Sequence, residues 1–482
     1  MQRLSAQDAS FLDVEDAVSH MHIGALAILE GPCPDYAAVL DRVQANLPRV
    51  PRYRQRLHLV PLSLGRPVWV DDPHFNLGYH LRRTALPEPG GDEQLRLLTG
   101  RVMSQRLDRD KPLWEMWMIE NLSDRRWALL TKVHHSMVDG VAGAELLSAI
   151  LDEQPEPPPV KPARWSPERQ PSGVELAVRA LVHRAGSPSE AIRSGLASPR
   201  RAAELAVATT EGLLTLGGIL RPPLASSLNG AIGPHRRWDW ARADLSEVRL
   251  IRRAFGGTVN DVVLSVIAGG FRALLSARGE STDRVVRSLV PVSVRAPAEQ
   301  GRYNNRVSAI FADLPVGIAD PVARLAAVRH QMEHLKRSHE AVAGDVLVGL
   351  SGFAPAMLLS LALRAATRMP QRNVNTVTTN VPGPQRPLYA AGRRMLECFP
   401  YVPVAGHVRV GVAIFSYDGR LAFGITGDYD RAPDIGVLGR GIERSMADLL
   451  EAARTRSERT RPAAGSAAER SPGRVSVRSS GL

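Results

Sequence analysis

Apolar residues recur at two spacings along this chain of 482 residues, and both spacings occur in each half. Alternating or continuous apolar runs predict β-strands, whereas apolar residues three and four positions apart predict helices that bury one face. In the first half the predicted strands are HMHIGALAILEG (20–31), RPVWVDD (66–72) and WALLTKV (127–133), and the clearest helix is YAAVLDRVQANL (36–47). This mixture predicts an α/β lobe over residues 1–153.

The second half repeats the mixture and predicts another α/β lobe over residues 236–453. Two segments have the periodicity of helices, NDVVLSVIAGGFRALLSARG (260–279) and PVARLAAVRHQMEHLKRSH (321–339). LNGAIGPHRRWDW (228–240) predicts an irregular entry into this lobe. The predicted strands are RVVRSLVPVSVR (284–295), RVSAIFADLPV (306–316), VNTVTTNVPGP (374–384), HVRVGVAIFSYDG (407–419) and RLAFGITGDYD (420–430).

Between the lobes, residues 154–235 predict a linker with crossover helices. Seven prolines lie between Pro155 and Pro171, and so many fixed φ angles and missing N–H donors exclude a continuous helix or strand there. The helical patterns that follow cover 173–185 and 201–220. Residues 454–482 contain seven arginines and two glutamates among small polar residues, which predicts a disordered basic tail.

Residues 346–363 form an uncharged stretch of eighteen residues, close to the shortest length that spans a bilayer. Gly349, Ser351, Gly352 and Pro355 interrupt this stretch, so a membrane span is not expected. A buried core helix is favoured, and a helix whose apolar face touches lipid is the alternative.

Charge and cysteine content narrow the class of protein. The chain has 61 basic and 49 acidic residues, a net charge of +12, which favours anionic partners. Aromatic residues make up only 5% of the chain and no nucleic-acid-binding motif occurs, so no nucleic-acid partner is expected.

Cys33 and Cys398 are far apart, which excludes a disulfide scaffold and fits a reducing compartment. With acidic residues in the first seventeen positions and no export signal, a cytoplasmic location is expected.

The segment 127–150 contains the most informative chemistry, because an apolar run ends in His134 and His135 and a helical pattern follows. Adjacent side chains of a strand point to opposite faces, so the two imidazoles are not expected to share a metal ion. A single neutral imidazole beyond a strand end suits a general base. A pair of purely structural histidines is the alternative.

Residues 134–140 read HHxxxDG, and this motif resembles the acyl-transfer motif of the CoA-dependent acyltransferase superfamily. Within that superfamily, the chain resembles the bacterial wax ester synthase/diacylglycerol acyltransferase family over roughly residues 4–450. Asn76 departs from the family pattern, where an acid is expected. The supporting segments are LSAQDASFLDVE (4–15), HMHIG (20–24), PRYRQRL (51–57), DPHFNLGYHLRRTALPEPG (72–90), PLW (112–114), LNGAIGPHR (228–236), ND (260–261), LVPVSVR (289–295), TNVPGP (379–384) and FSYDG (415–419).

The resemblance implies two similar chloramphenicol-acetyltransferase-like α/β lobes with an active-site channel between them. It implies that His135 is the general base, next to His134, and that Asp139 holds its loop through an arginine, for which Arg295 is the candidate. The oxyanion donor is left open between backbone N–H groups near Gly140 and the pair Thr379–Asn380. Asn260 and Asp261 follow Thr258, a good helix N-cap, so capping and lobe packing are favoured over a catalytic role there.

The implied reaction is acyl transfer from acyl-CoA, used as a co-substrate with no further cofactor, to diacylglycerol or a long-chain alcohol. Both acceptors are lipids, so peripheral binding to the inner face of the membrane or to lipid bodies is expected. No GxSxG serine motif occurs, so a covalent acyl-enzyme is not expected. Two alternatives stay open, a condensation or polyketide-type acyltransferase that uses a carrier protein, and a lipid-binding protein without catalytic activity.

One further motif suggests a metal site. Residues 330–334 read HxxEH, the inverted zinc-peptidase pattern, with His330 and His334 on one face of the predicted helix. The segment is strongly charged and lacks a recognisable third ligand, so a solvated surface helix is favoured and no metal is expected.

Overall fold

The computed structural model describes residues 2–137, 151–156, 165–180, 182, 226–293, 307–337 and 374–460. The helices within these ranges are α1 (Ala6–Val14), α2 (Tyr36–Asn46), α3 (Leu77–His80), α4 (Asp92–Ser104), α5 (Leu245–Phe255), α6 (Val259–Ala277), α7 (Pro321–Arg337) and α8 (Ile435–Thr460). Residues 173–180 are also helical. The strands are β1 (Gln2–Arg3), β2 (His22–Leu29), β3 (Gln55–His58), β4 (Val68–Asp71), β5 (Leu81–Ala85), β6 (Trp114–Glu120), β7 (Trp127–His134), β8 (Arg236–Asp244), β9 (Val286–Ser293), β10 (Val307–Leu314), β11 (Thr376–Pro382), β12 (Tyr389–Ala390), β13 (Arg393–Tyr401), β14 (Val410–Tyr417) and β15 (Arg420–Asp428).

The first six-stranded sheet, called sheet 1, has the strand order β12-β13-β2-β7-β6-β5. Strand β7 lies in its interior and runs antiparallel to both β2 and β6. All eight residues of β7 are buried, which explains why its sequence is a nearly continuous apolar run instead of an alternating one. The predicted strand 127–133 is therefore confirmed, and it extends by one residue to His134.

The second six-stranded sheet, called sheet 2, has the order β10-β9-β11-β14-β15-β8 and packs against α6 and α8. Strand β8 corrects one prediction, because residues 236–240 were expected to be irregular. RRWDWARAD pairs in register with β15, from Arg236 opposite Asp428 to Asp244 opposite Arg420. The sequence contained the alternation that buries Trp238 and Trp240, and pairing with β15 makes this segment a strand.

Strands β12 and β13 belong to sheet 1 although they lie in the second half of the chain. Strand β13 pairs with β2, from Met395 opposite Leu29 to Tyr401 opposite Gly24. These two strands therefore join the lobes. The sequence analysis assigned all of residues 236–453 to the second lobe and did not predict that two of its strands belong to sheet 1. Sheets 1 and 2 meet where a β-carbon on Gly424 would lie 1.6 Å from the carbonyl oxygen of Pro400, a separation that only glycine permits.

A third sheet, called the minor sheet, has the order β1-β4-β3. The first part of the predicted linker packs on it, since Arg56 donates a hydrogen bond to Gln170 at 3.1 Å and Gln170 donates to the backbone oxygen of Asp71 at 3.0 Å. Leu176 and Ala180 from the helical segment share an apolar cluster with Val60 and Val68.

Helix α8 runs to Thr460, beyond the boundary at Arg454 where the disordered tail was predicted to begin. Its apolar face includes Leu449 and Ala453, which are fully buried, and the helix continues for seven residues after that face ends. The predicted tail from 461 onward and the apolar stretch 346–363 lie outside the described residues.

Among the described residues, one helix, α6, has the length and apolar composition of a membrane span. Two thirds of this helix is buried inside the protein, and its residues form the centre of the apolar cluster beneath sheet 2. Packing within the lobe therefore accounts for its composition, as in the core helix of a globular domain.

Candidate functional site

The paired histidines lie at the end of β7, where backbone hydrogen bonds from two directions fix the chain. The N–H of His134 donates to the backbone oxygen of Leu113 at 2.9 Å, and the N–H of His135 donates to that of Met21 at 2.8 Å. A short 3-10 turn, His135–Met137, then ends the strand. The PLW and HMHIG segments thus position the two histidines through their backbones.

The His134 imidazole is buried and hydrogen-bonded on its Nδ1 side. The backbone N–H of Ser136 donates to Nδ1 at 3.1 Å, and the Ser136 hydroxyl lies 2.7 Å from the same atom. Because Nδ1 accepts a hydrogen bond, the proton of the neutral ring lies on Nε2. That nitrogen lies 3.4 Å from Oε2 of Glu15.

Glu15 was missed in the sequence as a residue with a chemical role, although it closes the family-like segment 4–15. Its nearly inaccessible carboxylate lies 3.5 Å from His22 Nε2 and accepts a hydrogen bond from Arg109 Nε at 3.1 Å. Burial raises the pKa of this carboxyl, but the contacts with His134, His22 and Arg109 outweigh burial and hold the pKa well below its usual range. The sequence held one indication of this role for Glu15. Several histidines lie at the ends of predicted strands, and buried histidines there require a charged partner.

His22 and Lys132 complete a group of buried titratable side chains on β2 and β7. Burial lowers the pKa of His22 to about 3, so its ring is neutral, and burial lowers the pKa of Lys132 to about 8. Lys132 Nζ donates to the backbone oxygens of Val102, at 3.0 Å, and Gln105, at the end of α4. A cation at a helix C-terminus is favourably placed, which offsets part of the cost of burying it.

His135 has a different environment from His134. Its ring stacks on Phe11 of α1, with centroids 3.8 Å apart and planes 22° apart. Nδ1 is enclosed without a hydrogen-bond partner among the described residues, and burial lowers the pKa of the imidazole to about 4. The ring is therefore neutral at physiological pH and available to accept a proton.

Asn260 and Asp261 lie at the start of α6, and Thr258 caps the helix as expected. The N–H of Thr258 donates to Asp261 Oδ2 at 2.7 Å, and the N–H of Asp261 donates to Thr258 Oγ1 at 3.2 Å. Asn380 Nδ2 donates to Asn260 Oδ1 at 3.4 Å, which joins the ND and TNVPGP segments. No hydrogen bond connects this pair with His134 or His135 within the ranges that the structure describes.

Two of the family-like segments have structural roles. Trp114 of PLW is buried and its Nε1 donates to the backbone oxygen of Tyr53 at 2.8 Å, so PLW forms a packing corner. Asn76, the departure from the family pattern, caps α3 by accepting from the N–H of Gly78 at 3.0 Å, as an aspartate would.

Asp139, Gly140 and Arg295 lie outside the described residues, so their roles stay predictions. Within the described part of the chain, no cluster of three histidine, cysteine or acidic side chains has the geometry of a metal site. His330, Glu333 and His334 are exposed on α7.

Two family models match the sequence. The wax ester synthase/diacylglycerol acyltransferase catalytic domain matches residues 4–263, and the C-terminal domain of the same family matches residues 303–450. A protein of Mycobacterium tuberculosis named probable diacylglycerol O-acyltransferase tgs1 is 40% identical over 465 residues, covering 95% of this chain and 97% of that protein.

Solved structures give the same result at the level of the fold. The wax ester synthase/diacylglycerol acyltransferase from Marinobacter aquaeolei VT8 is 27% identical, has a TM-score of 0.66, and covers 94% of this chain and all of its own. The first condensation domain of the calcium-dependent antibiotic synthetase, 20% identical with a TM-score of 0.57, matches 94% of this chain and 96% of its own and shares the fold. The predicted two-lobed α/β acyltransferase fold is confirmed.

Proposed function

The chain belongs to the wax ester synthase/diacylglycerol acyltransferase family, and we propose that it transfers acyl groups from acyl-CoA to diacylglycerol, with long-chain alcohols as a second acceptor. The acyltransferase class follows from the family itself. The diacylglycerol preference is supported by the name of the mycobacterial relative, which aligns with almost the whole chain.

One observation supports His135 as the general base. Of the two motif histidines, only His135 lacks a charged partner among the described residues, since His134 faces Glu15 and Ser136. Its Nδ1 is enclosed, so Nε2 is the nitrogen assigned to the acceptor hydroxyl. General-base catalysis of this kind contributes about 10²–10⁴-fold to the rate.

In the proposed mechanism, the His135 imidazole takes the hydroxyl proton while the acceptor oxygen bonds to the thioester carbonyl carbon. The tetrahedral intermediate then collapses, its C–S bond breaks, and the imidazolium protonates the departing CoA thiolate. A pKa of about 4 makes the ring a weak base in the free enzyme. The negative charge that develops on the neighbouring oxygen raises this pKa during the reaction.

Asp139 is proposed to hold the motif loop through Arg295, and the channel between the lobes is proposed to bring acyl-CoA and acceptor to His135 from opposite ends. In this role Asp139 does not need to touch the substrate.

The decisive experiment supplies purified protein with a mixture of acyl-CoAs, diacylglycerol and hexadecanol, and identifies the products by mass spectrometry. Triacylglycerol as the main product, lost with His135→Ala, supports the proposal. Wax ester as the main product reverses the acceptor preference, and no ester from any acyl-CoA overturns the proposed function.

Because the proposed acceptors reside in lipid, we also propose that the chain works at the cytoplasmic face of the membrane or at lipid bodies. The net charge of +12 and the arginine-rich residues 454–482 support attraction to an anionic surface. Sedimentation of the protein with anionic vesicles at low and high salt tests this location. Failure to sediment at either salt concentration would overturn it.

A further inference from the structure

A helical face far along the chain from the histidines exposes valines to solvent. Val174, Val178 and Val182 are 75%, 53% and 65% exposed. Positions four apart lie on the same side of a helix, so the three form one stripe, called here the valine face. Leu176 and Ala180 lie on the opposite side and are buried, so this segment is apolar on both sides although only one is covered.

A loop that adjoins the helix adds two more apolar side chains. Leu59 is 71% exposed, and Leu62 is 87% exposed in a backbone conformation with φ of 54°. A β-carbon on Gly173 would lie 3.2 Å from Pro61 Cγ, so this loop contacts the start of the helix. The loop therefore lies beside the start of the helix that carries the valine face.

The segments that carry these residues contain more arginines than acidic residues, although Arg169 and Arg179 both lie against Glu175. The minor sheet with its flanking turns (residues 2–3 and 51–71) and the packed segment 165–182 together hold seven arginines against three acidic residues. Glu175 already pairs with Arg179 at 2.9 Å. The arginines are Arg3, Arg52, Arg54, Arg56, Arg66, Arg169 and Arg179, and the acids are Asp71, Glu168 and Glu175.

We propose that the valine face, together with Leu59 and Leu62, docks the protein on the surface of an anionic phospholipid membrane. All five side chains are more than half exposed, so they project outward as groups that insert into a bilayer interface must. The surrounding arginines are complementary to the lipid phosphates. The proposal rests on the proposed function, because a lipid acceptor is what requires the enzyme to reach a membrane.

The test measures binding of the full chain to vesicles of phosphatidylcholine and phosphatidylglycerol. The triple variant Val174→Ser, Val178→Ser, Val182→Ser should weaken partitioning by about 100-fold, since interfacial binding scales with the apolar area buried. Leu97→Ser is the matched control, because Leu97 is 57% exposed on α4, outside the proposed surface, and should keep wild-type binding. High salt should release part of the wild-type protein.

Acyl transfer to a short water-soluble alcohol, measured in parallel, separates the two proposals. The triple variant should keep the wild-type rate. A wild type that forms no ester with diacylglycerol or hexadecanol refutes the proposed function, while vesicle binding still reports on the valine face. Unchanged vesicle binding by the triple variant overturns the docking proposal. A lower melting temperature of the triple variant without vesicles would show that protein covers the valines in the folded chain. A lower molecular mass of the variant by light scattering would show that a second copy covers them. Either result also overturns it.

Discussion

Sheets 1 and 2 have the same number of strands but bury different chemistry in their interiors. Strands β2 and β7 of sheet 1 bury His22, Lys132 and His134, with Glu15 against their ends. Strands β9 and β11 of sheet 2 bury neutral hydroxyls, such as Ser288 and Thr378, which hydrogen-bond to each other at 2.8 Å. The buried charges of sheet 2, Arg236 on β8 and Asp428 on β15, face each other 4.0 Å apart. Sheet 1 instead buries imidazoles, and burial lowers the pKa of His22 to about 3, so sheet 1 is the one that holds neutral bases suited to proton chemistry.

The largest effect is expected when the proposed base is removed from the end of β7 in sheet 1. His135→Ala should lower kcat by at least about 100-fold, because the loss of general-base catalysis has this lower bound. The melting temperature should fall only modestly, since the ring loses its stacking contact with Phe11 but no hydrogen bond among the described residues. His134→Ala should show the opposite balance, a milder loss of kcat and a lower melting temperature, because Ser136 and Glu15 lose a partner. A larger loss of kcat in a folded His134→Ala protein would reverse the two roles.

A second variant tests the close contact between sheets 1 and 2 at Gly424. In Gly424→Ala the new β-carbon would approach the Pro400 carbonyl oxygen, and forcing the backbones apart should cost about 1–3 kcal/mol of unfolding free energy. Gly78→Ala is the control, because its nearest neighbour would be 3.4 Å away, an ordinary contact. Urea unfolding measures both. Equal stability of the two variants would mean that the sheets do not meet closely at Gly424.

Removing the charge of Glu15 tests the electrostatic side of sheet 1. Glu15→Gln should cost about 2 kcal/mol at neutral pH, the size of hydrogen bonds to a buried charge. The folded-state pKa of Glu15 is lowered from 4.5, so its contribution is complete above about pH 4.5 and is lost as the pH falls below it. The difference between wild type and variant should therefore shrink in acid. Denaturant titrations across this range measure it, with the exposed pair member Glu175 mutated to Gln as a control that should show little effect.

The pH profile of kcat/KM sharpens the distinction between a buried and an exposed imidazole. With its pKa lowered to about 4, His135 stays neutral and active as the pH falls through 6.5, the ordinary value. The acid limb should therefore begin well below pH 6, provided the protein stays folded, which circular dichroism checks at each pH. An inflection near 6.5 in the folded protein would argue for a solvent-exposed base.

The smallest effects are expected at the start of α6. Thr258→Ala should cost about 1 kcal/mol of stability, the usual value of a lost helix cap. Asn260→Ala should cost less, because its contact with Asn380 is long at 3.4 Å. Thermal unfolding measures both, and kcat should follow wild type in each. A large loss of kcat in Asn260→Ala at unchanged stability would move this residue from packing into the catalytic machinery.

Local sequence patterns were enough to predict many of the helices and strands of this protein. The strands at 127–133 and 410–417, the helices α2, α6 and α7, and the Thr258 cap depend on neighbours in sequence, so hydrophobic spacing and capping chemistry indicate them directly. The HHxxxDG motif likewise indicates the acyltransferase class from seven consecutive positions, because that chemistry requires specific residue types at fixed spacing.

Tertiary structure alone decided the features whose partners are distant along the chain. Strand β8 exists because β15 pairs with it, β13 joins sheet 1 across more than 360 residues, and Glu15 gains its lowered pKa only where His134, His22 and Arg109 converge. The contrast between His134 and His135 is of the same kind, since adjacent identical residues differ only in what surrounds them. Burial and charge depend on the three-dimensional environment, which no spacing of residues along one chain encodes locally.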